Sequence, residues 1–216
     1  GMKLKALLAS ALLTTTFAVH AQDKPVVQFI ATGGTIAMKI DPVKNAPVPA
    51  ISGEDLLATV PDVGKYANIQ VKSLSNVPSD YMDPPRWVQL TKEVNAALAR
   101  PEVAGVIVSH GTDTLEETAY FLHLTVRSER PVVVVGAMRN PSTLGYEGAA
   151  NLQQAFRVAA APQSRGKGTL VVLNGEINSA REVTKTDSLR LHTFATRGYG
   201  VLGLVDRDGV VYYRNV

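Results

Sequence analysis

Two short segments of the chain place hydroxyl groups beside glycines, where the backbone can bend sharply. The first is "ATGGTIA", residues 31–37, and the second is "VSHGTDTLEETAYFL", residues 108–122. Each follows an apolar run, so each reads as a strand end that turns toward a helix or loop, the place where ligands settle in open α/β sheets. A hydroxyl is a weak nucleophile until a base takes its proton. The groups of interest are therefore Thr35, Thr112 and whatever lies beside them. Asp113 sits near a helix N-terminus, where the dipole favours a carboxylate, and it could hold a ligand ammonium or orient a lysine. Lysine can act as the base when its surroundings lower its pKa. Lys185, in "REVTKT", is one such group, although its spacing alone describes a solvated surface lysine. No GxSxG elbow accompanies these residues, which argues against serine-hydrolase chemistry of that kind.

The elements that must position these residues follow from hydrophobic pattern. Apolar runs at 26–31, 68–74, 103–110, 131–138 and 168–174 alternate with segments of helical period at 84–100, 115–127 and 147–161. Near-continuous apolar strands alternating with helices predict an α/β fold, a mostly parallel sheet with helices on both faces. Residues 38–52, "MKIDPVKNAPVPAIS", have three prolines and no period, and read as a loop beside the first strand end. Thr114 and Glu117 read as a capping box that starts the helix near Leu115. Near the end, "VLGLVDRDGVVYYR" gives two strand-like runs around Asp208-Gly209, a closing β-hairpin.

Bulk properties narrow the function classes. Lys3 and Lys5 precede an apolar stretch that runs to Val19-His20-Ala21, which reads as a secretory signal peptide over 1–21, with Gly1 as a tag remnant. A single domain over 22–216 would remain, periplasmic or secreted, with no membrane association after cleavage. The net charge of +3 owes two of its lysines to that leader. No basic stripe interleaved with aromatics is present, so nucleic acid is not expected as a partner. With no cysteine and only four widely spaced histidines, no metal site is expected either.

The four motifs "ATGGTIA", "VSHGTDTLEETAYFL", "PVVVVGAMR" and "REVTKT" occur in this order, and from Val26 to about Tyr213 the chain resembles the bacterial L-asparaginases of the type II and glutaminase-asparaginase group. The resemblance implies hydrolysis of the side-chain amide of L-asparagine, with L-glutamine as a second substrate. A threonine would be the nucleophile, no cofactor would be needed, and the protein would be a homo-oligomer. By position, Thr35 matches the family's primary nucleophile. Thr112 and Asp113 match its second threonine and substrate-binding aspartate, and Lys185 completes a Thr-Lys-Asp set. Ser79, in "NVPSDYM", matches a serine that binds the substrate α-carboxylate. Asp80 occupies the next binding position, and Gly34 and Ala137 match residues whose main chain lines the pocket.

The resemblance also has gaps. The family's lid tyrosine is absent, because residues 36–65 contain none; Lys39, Lys44, Asn45 and Tyr81 are the nearby polar groups. Asp80 replaces a residue that is often an amide. The family's smaller C-terminal domain, expected after the closing hairpin, is missing from this chain. Two other readings stay open on these grounds: a different amidase on the same scaffold, and a non-catalytic domain that binds an amino acid.

Overall fold

The structure, a computed structural model, describes residues 23–216; the leader expected over 1–21 lies outside the described residues. In chain order the elements are β1 (Val26–Gly33), β2 (Met38–Asp41), β3 (Ala46–Pro49), α1 (Gly53–Ala58), β4 (Asn68–Val77), α2 (Pro84–Leu98), β5 (Val103–Ser109) and α3 (Leu115–Thr125). They continue with β6 (Val132–Val135), α4 (Gly148–Ala160), β7 (Thr169–Leu173), β8 (Glu176–Ser179), β9 (Thr184–Lys185), β10 (Phe194–Ala195), β11 (Gly203–Val205) and β12 (Val210–Tyr212).

Eight strands form one sheet in the order β12-β11-β8-β7-β6-β5-β1-β4. The five strands from β4 to β7 are parallel, and β8, β11 and β12 add antiparallel pairs. This is the mostly parallel α/β sheet that the apolar runs predict. Alternate residues of the central strands feed two cores, because a strand points successive side chains to opposite faces. Phe29, Ile107, Val133 and Leu170 pack with Leu152 and Phe156 of α4. Val106, Val108, Val132 and Val134 pack with Leu90 and Val94 of α2 and with Leu115, Ala119 and Leu122 of α3. Phe29 meets Phe156 edge to face, with ring centroids 5.7 Å apart.

Helix starts follow local chemistry. The Asp83 carboxylate accepts from the Arg86 N–H at 3.0 Å, with prolines opening α2. Both devices suit a first turn whose N–H groups lack helical partners.

One expectation needs revision: residues 38–52 are not an irregular loop. β2 and β3 form a separate antiparallel ribbon, with Met38 opposite Pro49 and Ile40 opposite Pro47. The Asp41 carboxylate accepts from the N–H groups of Val43 and Lys44, and Asn45 takes a left-handed φ of 48° to close the turn. Both strands of a two-stranded ribbon are edges, so prolines can face away from the ladder. That tolerance hides the strands in the sequence. The closing hairpin forms as expected, with Asp206 Oδ1 accepting from the N–H groups of Asp208 and Gly209.

Candidate active site

The chain runs from β1 outward to β4, then returns to place β5 on the other side of β1. The direction of winding reverses there, and such a switch point opens a crevice at the carboxyl ends of the strands. Ala31 lies opposite Ser109 where β1 and β5 end. Thr32 Oγ1 donates to the Ser109 carbonyl at 2.7 Å, and Ser75 Oγ donates to the Thr32 carbonyl at 2.9 Å.

Beyond these bonds three loops nest on bare backbone. Gly34 has φ +82°, and a Cβ there would lie 2.2 Å from Gly111 N. A Cβ on Gly111 would lie 2.7 Å from the Ser79 Cβ. The Gly34 N–H donates to the Val77 carbonyl at 3.0 Å. Glycine is needed at 34 both for the left-handed backbone and for the close approach. Thr35 and Thr112, each the next residue after one of these touching glycines, therefore share one rim of the sheet.

Around Thr112 the polar groups are well partnered. Lys185 Nζ donates to Thr112 Oγ1 at 3.0 Å and to Asp113 Oδ1 at 2.9 Å. Spacing alone describes Lys185 as a surface residue, but its side chain is only 14% exposed. Asp113 is 75% exposed, so its carboxylate is accessible from solvent.

A buried relay lies behind this turn. The Trp87 indole N–H donates to Thr118 Oγ1 at 2.8 Å, and the Thr118 hydroxyl is 2.8 Å from His110 Nε2. His110 Nδ1 is 2.6 Å from the Gly111 carbonyl. Indole can only donate and a carbonyl can only accept, so the directions are set: Thr118 donates to Nε2, and Nδ1–H donates to Gly111. Burial pushes the His110 pKa down to about 4, against the pull of the Gly111 bond. The ring is held neutral, as a rigid strut.

The remaining candidates fall around the same rim. Ser79 is buried, and its Oγ accepts from the Thr114 N–H at 3.2 Å. The Thr114 hydroxyl donates to the Ser79 carbonyl at 2.7 Å. These bonds correct the capping-box expectation: Thr114 makes no side-chain cap, and its ψ of 19° lies outside the extended region that a cap requires. Thr114 fastens the Ser79 loop to the Thr112 turn instead. Asp80, next to Ser79, is exposed. Ala137 is buried just beyond β6. A Cβ on its neighbour Gly136 would lie 2.7 Å from the His110 carbonyl and 3.2 Å from Thr112 Cγ2. Asn151 Nδ2 donates to the Gly136 carbonyl, while the Glu147 carboxylate accepts from the N–H groups of Met138 and Arg139.

Sequence reasoning missed four supporting groups. They are the His110 strut, the Glu147 clamp, Glu116, whose Oε2 accepts from the Lys185 N–H at 2.5 Å, and Tyr146. The Tyr146 hydroxyl donates to the Ile36 carbonyl at 3.0 Å, which puts a tyrosine beside the Thr35 turn from outside residues 36–65. Burial raises its pKa, so it stays a donor. Glu116 and Tyr146 act across 69 and 110 residues, where local pattern gives no signal; His110 and Glu147 reach partners within ten residues, but through loop geometry that no helical or strand period encodes. Among the described residues, no three His, Asp or Glu side chains cluster to hold a metal ion.

Comparison with known proteins places this geometry in a lineage. The family model described as "Asparaginase, N-terminal" matches residues 26–216. The chain is 42% identical over 207 residues to L-asparaginase 2 of Bacillus subtilis (strain 168), covering 94% of this chain and 54% of that protein. It is 38% identical over 208 residues to L-asparaginase 2 of Escherichia coli (strain K12), covering 95% and 59%. It is 40% identical over 198 residues to "Probable L-asparaginase periplasmic" of Haemophilus influenzae, covering 91% and 56%. The crystal structure of a probable cytoplasmic L-asparaginase from Campylobacter jejuni superposes with a TM-score of 0.82 at 37% identity, covering 89% of this chain and 58% of that one. The chain thus spans a little over half the length of the curated relatives it matches. On the strength of the family match and the shared fold, the chain belongs to the asparaginase family.

Proposed function

We propose that this chain carries the reacting half of an L-asparaginase, which hydrolyses the side-chain amide of L-asparagine to L-aspartate and ammonia. L-glutamine is the longer second substrate. The observation that carries this reading is the contact of Lys185 Nζ with both Thr112 and Asp113, on a rim that Thr35 shares through the Gly34–Gly111 contact. In this reading a threonine oxygen adds to the carboxamide carbon. The amide nitrogen takes a proton and leaves as ammonia, and water then cleaves the threonine ester. Main-chain N–H groups of the Gly34 and Thr112 turns are suited to hold the oxyanion, where losing one donor costs about 3–4 kcal/mol. Asp113, Ser79 and Asp80 would receive the amino-acid head group, with Gly34 and Ala137 lining the pocket.

The family resemblance favours Thr35 as the attacking group. The base within reach favours Thr112 as a second reading, since Lys185 stands 3.0 Å from its hydroxyl. Acid quenching during turnover and mass mapping of the acylated peptide separates them. An adduct on residue 35 supports the first reading and one on residue 112 the second. Absence of ammonia from both asparagine and glutamine overturns the function.

Export to the periplasm or beyond belongs to the same proposal. It is supported by the Lys3-to-Ala21 pattern and by the relative named periplasmic. N-terminal sequencing of the protein from its own cells tests it, with Gln22 expected first. Assembly as a homo-oligomer, which the resemblance implies, is tested by sedimentation.

A further inference from the structure

Lys185 lies on a short ribbon outside the main sheet. β9 is two residues long and belongs to a two-stranded ladder with β10, apart from the main sheet. The excursion from 184 to 195 is bonded to itself through Thr186, Asp187 and Thr193, and its far end is held by Leu191 to Asn174, His192 to Glu176 and the buried ring of Phe194; none of these bonds touches Lys185. A lysine on such a ribbon, with four rotatable side-chain bonds, would not by itself hold its amine within 3 Å of two partners. Yet Lys185 makes all of its non-ladder hydrogen bonds to one short stretch: Nζ to Thr112 and Asp113, and its main-chain N–H to Glu116 Oε2 at 2.5 Å. Residues 112–116 are the turn and first turn of α3, so both ends of the lysine are fixed to one rigid unit. Glu116 is partly buried. A carboxylate acceptor in the first turn of a helix is favoured by the helix dipole and forms a charge-assisted bond.

We infer that Glu116 is a positioning residue for the reaction: it ties the main chain of β9 to α3 and thereby sets the reach of the Lys185 amine to Thr112 and Asp113. The assignment rests on the amidohydrolase reading for its catalytic consequence, but the tether itself is a statement about Lys185. Glu117, the next residue, is exposed and provides the control, because it carries the same charge on the same helix turn without the bond to β9.

Two measurements on the full-length protein test this in wild type, Glu116→Ala, Glu116→Gln and Glu117→Ala. One is kcat and KM for ammonia release from L-asparagine. The other is trace acetylation of lysines by acetic anhydride, read by mass spectrometry for Lys185 relative to Lys72. Misplacing a proton-transfer group costs roughly 10- to 100-fold, so Glu116→Ala should lower kcat by that factor with KM within about 2-fold. Its Lys185 should acetylate at least about 3-fold faster, since the amine is no longer held against Thr112 and Asp113. Glu116→Gln keeps an oxygen acceptor but makes a weaker, neutral bond, so it should fall between wild type and Glu116→Ala, while Glu117→Ala keeps the tether and should stay close to wild type in both readouts. Unchanged kcat and unchanged labelling in Glu116→Ala would overturn the assignment. So would a Glu116→Gln variant as impaired as Glu116→Ala, which would make charge rather than the bond responsible. If wild type itself releases no ammonia, the proposed function fails while the labelling comparison still decides the tether.

Discussion

The two threonine turns sit side by side on one rim yet are built in opposite ways. The turn of Thr112 is braced by side chains: Lys185 and Asp113 in front, His110, Thr118 and Trp87 behind, and Thr114 reaching across to Ser79. The turn of Thr35 is braced by backbone: Gly34 pressed on Gly111, a single helical turn from Thr35 to Ala37, and the Tyr146 hydroxyl on the Ile36 carbonyl. The difference teaches a division of labour. One threonine accepts a hydrogen bond from a lysine amine at 3.0 Å, whereas the other is placed by steric fit and is half-buried. The proposed reaction calls for an attacking group and a proton-handling group, and those two tasks need different surroundings.

The sharpest way to break this comparison is to remove the hydroxyls. Thr35→Ala and Thr112→Val should each reduce kcat by about 1,000-fold or more, as loss of one member of a set that acts as a unit does. Each should leave the melting temperature near that of wild type. Near-normal ammonia release from either would remove that threonine from the chemistry. Next in size is Lys185→Met, for which loss of a general base predicts a fall of roughly 100- to 10,000-fold in kcat with little change in KM. A normal rate would mean that the Thr112 turn handles its proton without Lys185.

Two stability measurements sharpen the backbone-against-side-chain contrast. Gly34→Ala would force a Cβ into Gly111 N at 2.2 Å in a left-handed backbone, and a core backbone clash of this kind costs about 3 kcal/mol or more. Chemical denaturation should show that loss, and an unshifted midpoint would mean the turns are not in contact. The side-chain bracing should announce itself through pH. The folded-state pKa of His110, about 4, lies below its ordinary 6.5, so the unfolded chain takes up the proton first as pH falls. Stability from this site is complete above pH 6.5 and drains away toward pH 4, by about 3 kcal/mol in all. Melting temperatures across that range should fall in wild type and fall less steeply in His110→Asn; equal slopes would show that His110 is not held neutral.

How much of this could be read from the sequence depended on the range of the interactions. The runs "VVQFIA", "VAGVIV" and "PVVVV" announced buried strands because they are covered on both faces, and the glycines at 33, 34 and 111 announced bends. The meeting of Thr35 and Thr112 needed only that β1 and β5 be neighbours. Lys185 was different. Nothing local separates it from a surface lysine, because its partners lie about seventy residues away and its tether, Glu116, stands in a helix that reads as ordinary. Thr114 and Glu117 match a capping pattern, yet Ser79, from another loop, takes both of the Thr114 bonds. The ribbon of β2 and β3 was concealed by Pro47 and Pro49, which a two-stranded edge tolerates and a wider sheet would not.

The indole of Trp87 is the only one in the chain, and through Thr118 and His110 it ends on the carbonyl just before Thr112. Excited at wavelengths that tyrosine does not absorb, that single indole should change its emission when a ligand settles on the rim; an unchanged spectrum on saturation with L-aspartate would mean that the chain of hydrogen bonds does not carry the event so far.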